Sequence, residues 1–164
     1  MAYSDALVAR LTDERPVIVA ELENLLVQCM LQGEASSRPR VKEHLTQGAG
    51  RRIMVLKRSV ENIFTLFPLT TTRPLRSDRL SDVQINLHAF VMNLYGVFDN
   101  WAWAFVIRHD LEGKIRRERV GLFSEQTKKY LPPSIKNYVS EPATSRWYDE
   151  YLKNLFSDNY FCRC

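Results

Sequence analysis

The sequence predicts an all-α fold, a helical bundle of about four to five main helices around one long central helix at about 79–109. Three observations predict it. Leu80, Val83, Leu87, Phe90, Val91, Leu94, Val97, Phe98, Trp101, Ala104 and Phe105 recur at three- and four-residue steps. That is one apolar face of a helix of roughly 30 residues, or about 45 Å at 1.5 Å per residue. The same rhythm returns on either side of it in shorter stretches. No apolar–polar alternation persists long enough for a strand, and no internal repeat is present. The 164 residues are read as one domain, 1–164, long enough to bury a real core.

Taken in order, residues 4–12 form one or two amphipathic turns with Leu7, Val8 and Leu11 inward. Pro16 opens a second helix, in the first turn where its missing amide costs nothing. That helix runs to about Gln32, with Ile18, Leu22, Leu25, Leu26, Cys29 and Met30 buried, and Gly33 stops it. Residues 33–50 hold Ser36, Ser37, Pro39, Gly48 and Gly50 and read as a mobile polar loop, with a short helical piece at Val41–Leu45. A third helix follows at Arg51–Phe67 and is closed by Pro68, because a residue before proline is pushed from helical geometry.

Ser77 or Asp78 caps the central helix, accepting from the free amides of its first turn. Met92, Tyr95, Trp103 and Val106 widen its apolar surface, as for a helix touched on several sides. Residues 110–121 read as a charged loop outside the packed body, with Leu122 and Phe123 docking the chain back. Ser124–Tyr130 makes a short helix. Pro132-Pro133 starts another, and Pro142 ends it. Thr144 or Ser145 caps a last helix through Trp147, Tyr148, Tyr151, Leu152, Leu155 and Phe156. The tail 157–164 has no periodicity and exposes Tyr160, Phe161, Cys162 and Cys164. Apolar surface with thiols is a liability in a soluble domain. Either the tail docks onto the body or a partner, or the chain is an altered form of a longer one, and the second account is favoured.

The formal charge is +4 with a pI near 9.0, compatible with an acidic partner or with solubility alone. No secretory signal and no membrane span are expected, since Asp5, Asp13, Glu14, Glu21 and Glu23 interrupt the early apolar runs. Cys29, Cys162 and Cys164 lack zinc-type spacing and are read as reduced thiols of a cytoplasmic protein. No Gly-rich phosphate loop, HExxH, nucleophile elbow or acidic metal cluster occurs, so neither cofactor nor metal is expected.

Two basic clusters are the stronger surface signal. Arg38, Arg40, Lys42, Arg51, Arg52, Lys57 and Arg58 form the first. Lys114, Arg116, Arg117 and Arg119 form the second, extended by Lys128, Lys129 and Lys136. Each joins cations to nearby rings, a combination that contacts phosphates and stacks on bases. Ordinary solvated helix faces carry the same charges, and Glu112, Glu118 and Glu125 dilute the second cluster.

On the central helix Asn86, Asn93 and Asn100 fall at seven-residue intervals along one polar stripe, with Asp99 beside the last. The stripe is either the wall of a polar pocket or an interhelical seam, and Asp99 is a weak candidate for catalysis. Arg108-His109-Asp110 invites an acid–base reading, but neighbours on a helix point about 100° apart, so cations at a helix C-terminus explain them more cheaply. His44 and His88 have no partners at ligand or triad spacing.

Tyr95–Trp103 (YGVFDNWAW), Arg119–Phe123 (RVGLF) and Trp147–Leu152 (WYDEYL) resemble a group of uncharacterised bacterial helical proteins that in turn resemble the HEPN superfamily. The likeness covers about residues 50–156 and implies a compact helical domain that often dimerises and includes RNA-cleaving toxins and defence nucleases. It also implies metal-independent RNA cleavage by an arginine with a histidine four to six residues later on the last long helix. Asp99 is the position that matches an assisting polar residue on an earlier helix. The departure is plain: no histidine lies anywhere after His109, and none follows Arg163. The resemblance therefore implies an inactive or truncated form that binds RNA or a protein partner, as a homodimer and in a toxin–antitoxin or defence setting. Its full-length relative would be a ribonuclease. The competing expectation is a structural protein–protein interaction module with no nucleic-acid role.

Overall fold

The computed structural model describes residues 3–153. The aromatic–cysteine tail, and Leu155 and Phe156 of the expected last helix, lie outside those residues. The protein is all-α, and no strand occurs among the described residues. The chain divides into two compact units, Met1–Val97 and Phe98–Cys164, with the boundary inside one continuous helix.

In the first unit, α1 (Asp5–Glu34) starts at Ser4, whose Oγ accepts from the Leu7 amide at 3.3 Å. The two expected helices are one, with Pro16 in its interior. A helix-interior proline costs about 3 kcal/mol. Tertiary contacts on both sides of Pro16 oppose that penalty. The Tyr3 and Phe67 rings lie 6.0 Å apart, the Arg15 guanidinium sits 5.1 Å from the Phe64 centroid, and Lys57 pairs with Glu23. Residue numbers on α1 rise as those on its partner fall, so α1 packs antiparallel to α3 (Arg51–Leu66). Its inward line runs through Arg15, Leu22, Cys29 and Gly33. Ile18, Leu25 and Met30, expected inside, are exposed. At 100° per residue Ile18 and Leu25 fall roughly 45–65° off that line and Met30 about 75°.

The expected loop at 33–50 is largely helical and partly core. Its helical residues are α2 (Pro39–Glu43) and a π-helical stretch His44–Gly50 that runs straight into α3. Val41, Leu45 and Ala49 are buried. The residues that look like breakers serve other purposes. Pro39 stands at the start of α2, where no amide is needed. Gly33 does not stop α1; a Cβ there would lie 2.6 Å from Thr46 Cγ2. At Gly50 a Cβ would come within 3.5 Å of Leu26 Cδ1.

α3 ends at Leu66, and Phe67 leaves helical geometry (φ −128°, ψ 74°) ahead of Pro68. α4 (Ser77–Arg108) matches the expected central helix, although Leu80 and Leu87, assigned to its inner face, are exposed. Asn62 Nδ2 on α3 donates to Asn86 Oδ1 on α4 at 2.9 Å.

The second unit begins on the last turns of α4. Phe98 makes edge contacts with Trp101 (6.0 Å), Phe123 (5.6 Å) and Trp147 (6.4 Å), and Phe123 stacks on Tyr148 at 3.9 Å. Phe123 thus docks as the sequence led one to expect. α5 (Glu125–Lys128) and α6 (Pro133–Ser140) follow. Pro142 opens α7 (Pro142–Trp147), because only Glu141 (φ −60°, ψ 132°) interrupts the helical path after α6. Thr144 and Ser145 are therefore inside a helix, not caps. A π-helical turn at Tyr148–Lys153 follows. No described helix is long and apolar enough to cross a membrane.

Candidate nucleic-acid interface

The second basic cluster is built on the way α4 ends. Asp110 takes a left-handed conformation (φ 54°) immediately past the helix. The Leu111 amide donates to Val106 O at 2.9 Å and the Asp110 amide to Ile107 O at 3.3 Å. This pair of bonds is a Schellman closure, and such closures bring a residue past the helix against one in its last turn. Here Leu111 packs on Val106, with Ile115 completing a buried trio flanked by Phe105 and Val120. The expected free loop at 110–121 is therefore pinned to the core by two side chains, Leu111 and Ile115.

Between and beyond those pins, Lys114, Arg116, Arg117 and Arg119 are exposed. Arg117–Arg119 forms a 3₁₀ turn, closed by the Arg119 amide on Arg116 O at 2.8 Å. α5 holds it from beneath. Gln126 Oε1 accepts from the Arg116 amide at 3.3 Å. The fully buried Thr127 hydroxyl accepts from the Gly121 amide (3.2 Å) and donates to Arg119 O (3.4 Å). Backbone groups are thus satisfied within the protein, leaving the guanidinium groups outward. None of the four cations makes an ion pair among the described residues. Gln126 and Thr127 are the positioning residues that sequence reasoning missed. Nothing local in the sequence marks a contact eight or ten residues away.

The first cluster is spent differently. Lys42 pairs with Glu34 at 2.6 Å, Arg58 with Glu61 at 3.2 Å, and Lys57 with Glu23 and, at 4.0 Å, Glu61. The Lys57 ammonium is held above its ordinary pKa, chiefly by the hydrogen bond to Glu23. Partial desolvation works against that shift, and the charges of Glu23 and Glu61 add to it. Arg52 turns inward: its Nη1 donates to Gly48 O at 3.3 Å, and a Cβ at Gly96 would collide with its Nε. Arg51 stays exposed. Lys128, counted with the second cluster, pairs with Glu125 at 3.0 Å.

The polar stripe of α4 is used within the protein where it is described. Asn86 bridges to Asn62, and Asn93 Nδ2 donates to Ala89 O one turn back at 2.7 Å. Asp99 and Asn100 are half-buried and engaged. The His109 ring lies against Phe105 at 4.6 Å. Among the described residues, no three of His, Cys, Asp and Glu are placed to hold a metal. Every buried side-chain nitrogen and oxygen among them has a partner. Comparison with family models, with curated proteins and with solved structures finds no match. The surface is therefore read from its own chemistry.

Proposed function

We propose that this chain is a HEPN-like helical domain that binds RNA through Lys114, Arg116, Arg117 and Arg119 and does not cleave it. One observation carries the binding: the backbone of this turn is fixed by Gln126 and Thr127, while its four cations carry no ion pair among the described residues. Cations held in place this way meet phosphates with less side-chain ordering than cations first released from carboxylates. Arg51 and the inward-turned Arg52 are secondary, because Lys42, Lys57 and Arg58 of their cluster are held in ion pairs.

Fluorescence anisotropy with a labelled single-stranded RNA tests the proposal. Affinity falls steeply with salt, and replacing Arg116, Arg117 and Arg119 with Ala weakens binding at least about 10-fold. The same change lowers the slope of log K against log salt by about 2, at 0.7 per single-strand phosphate contact. Binding that ignores salt and the triple variant, or no binding at all, overturns it and favours a protein-interaction module. Cleavage of the probe that disappears in Asp99→Ala overturns the non-cleaving half.

A further inference from the structure

The second unit exposes four aromatic side chains, Tyr130, Tyr138, Trp147 and Tyr151. A single exposed ring is ordinary on a protein surface. Tyr130 is set apart by where it stands and how it is held. It comes three residues after Thr127, the fully buried residue whose hydroxyl fixes Arg119 O and the Gly121 amide beneath the basic turn. Its own amide donates to Thr127 O at 3.0 Å, and the next residue, Leu131, is buried. Pro132 and Pro133 then stiffen the entry to α6. These bonds place the Tyr130 amide within about 11 Å of Arg119 O, on the order of two or three nucleotides of strand.

The ring itself is uncommitted. Tyr130 is 41 % exposed, and neither its ring nor its hydroxyl makes a hydrogen bond or an aromatic contact among the described residues. Lys129 beside it is exposed and makes no ion pair among them. Trp147, by contrast, packs on Phe98. A tyrosine has only two side-chain torsions to fix, and here the backbone beneath it is already fixed, so a base that stacks on it meets little ordering cost. Every base has a face to offer such a ring, but in a duplex that face is covered by the neighbouring pairs. Phosphate contacts position a strand without reading it. We propose that Tyr130 stacks on an unpaired base while the basic turn holds phosphates of the same strand, so that this ring selects single-stranded over duplex RNA.

The inference rests on the RNA reading, and anisotropy titrations of the full chain separate the two. The probes are a labelled unstructured RNA strand, that strand annealed to its complement, and the same strand with abasic riboses throughout. Tyr130→Ala should weaken binding of the intact strand at least about 5-fold and leave the slope of log K against log salt unchanged. Tyr130→Phe and Tyr130→Trp should bind it as the parent does. On the duplex and on the abasic strand Tyr130→Ala should change affinity by less than about 2-fold, because neither offers the ring a free base face. Binding that depends on Arg116, Arg117 and Arg119 but ignores Tyr130→Ala overturns this inference and leaves the RNA reading standing. An equal loss on intact and abasic strands also overturns it, since Tyr130 would then act only through the fold. Tyr130→Phe as weak as Tyr130→Ala assigns the effect to the hydroxyl and rejects stacking. No binding of any probe overturns both readings.

Discussion

A methyl group added at Gly33 would sit 2.6 Å from Thr46 Cγ2, with Leu45 Cβ at 3.5 Å. Neither side can yield easily. Gly33 and Thr46 are both buried, and the Thr46 hydroxyl is fixed by donation to Lys42 O at 2.9 Å. Gly33→Ala should therefore destabilise by about 1–3 kcal/mol, even though alanine is the better helix former by about 1 kcal/mol. Adding Thr46→Ser removes the obstructing methyl, keeps the hydroxyl and should recover most of the loss. Urea unfolding of the two single variants and the double variant checks this, and a double variant no better than Gly33→Ala alone would refute the contact as the cause. At this scale the sequence is least legible. Gly33 looks like a helix stop because glycine so often is one, and only the position of Thr46 shows that it is needed for a close approach. The basic residues divide in the same way. Lys57 and Arg117 are indistinguishable in composition, yet one has carboxylates across from it and the other does not.

Whole elements are more legible than residues, and where they mislead the reason is tertiary. α3 and α4 begin and end within a residue or two of the apolar periodicity, because each closes with strong local chemistry. α1 runs on through Pro16, and 33–50 is largely helical, because packing against α3 and the buried Val41, Leu45 and Ala49 outweigh local breakers. The end of α4 carries a prediction of its own. Asp110 holds a left-handed conformation that aspartate tolerates and glycine adopts freely. A β-branched residue there meets the steric cost in full. Asp110→Val should lower stability by about 1–2 kcal/mol, whereas Asp110→Gly should be neutral or stabilising by up to about 1 kcal/mol. Because the same closure sets Leu111 under the basic turn, Asp110→Val should also weaken RNA binding at temperatures where the protein remains folded. Equal stabilities of the Val and Gly variants in thermal unfolding would show that the closure contributes little.

Across the molecule, helical class was legible because it rests on many residues at once, and no single misplacement alters it. The pairing of α1 with α3 was not, because the contacts that set it join residues far apart in sequence. Lys57 and Glu23, on facing helices 34 positions apart, tie the two together near the middle of their contact. Global unfolding separates these helices, so their charge pairing enters the stability of the whole unit. The folded state raises the Lys57 pKa above the 10.5 of an unperturbed lysine, chiefly through the Glu23 hydrogen bond. The stabilisation is therefore fully present while the unfolded lysine is also protonated, below about pH 10.5, and fades as pH rises through the higher folded value. Lys57→Met should melt lower than the parent by a small margin that stays constant from about pH 6 to 9. The margin should shrink as pH rises past 10.5 and through the higher folded value, where the parent loses its charge and the variant has none to lose. The pair is exposed, so added salt should narrow the same margin at neutral pH. Melting curves of both proteins across that range decide the matter. A margin that grows with pH, or that survives undiminished once the lysine of the parent has lost its charge, would mean that Lys57 stabilises through its methylene stem packed along α1 and not through its charge.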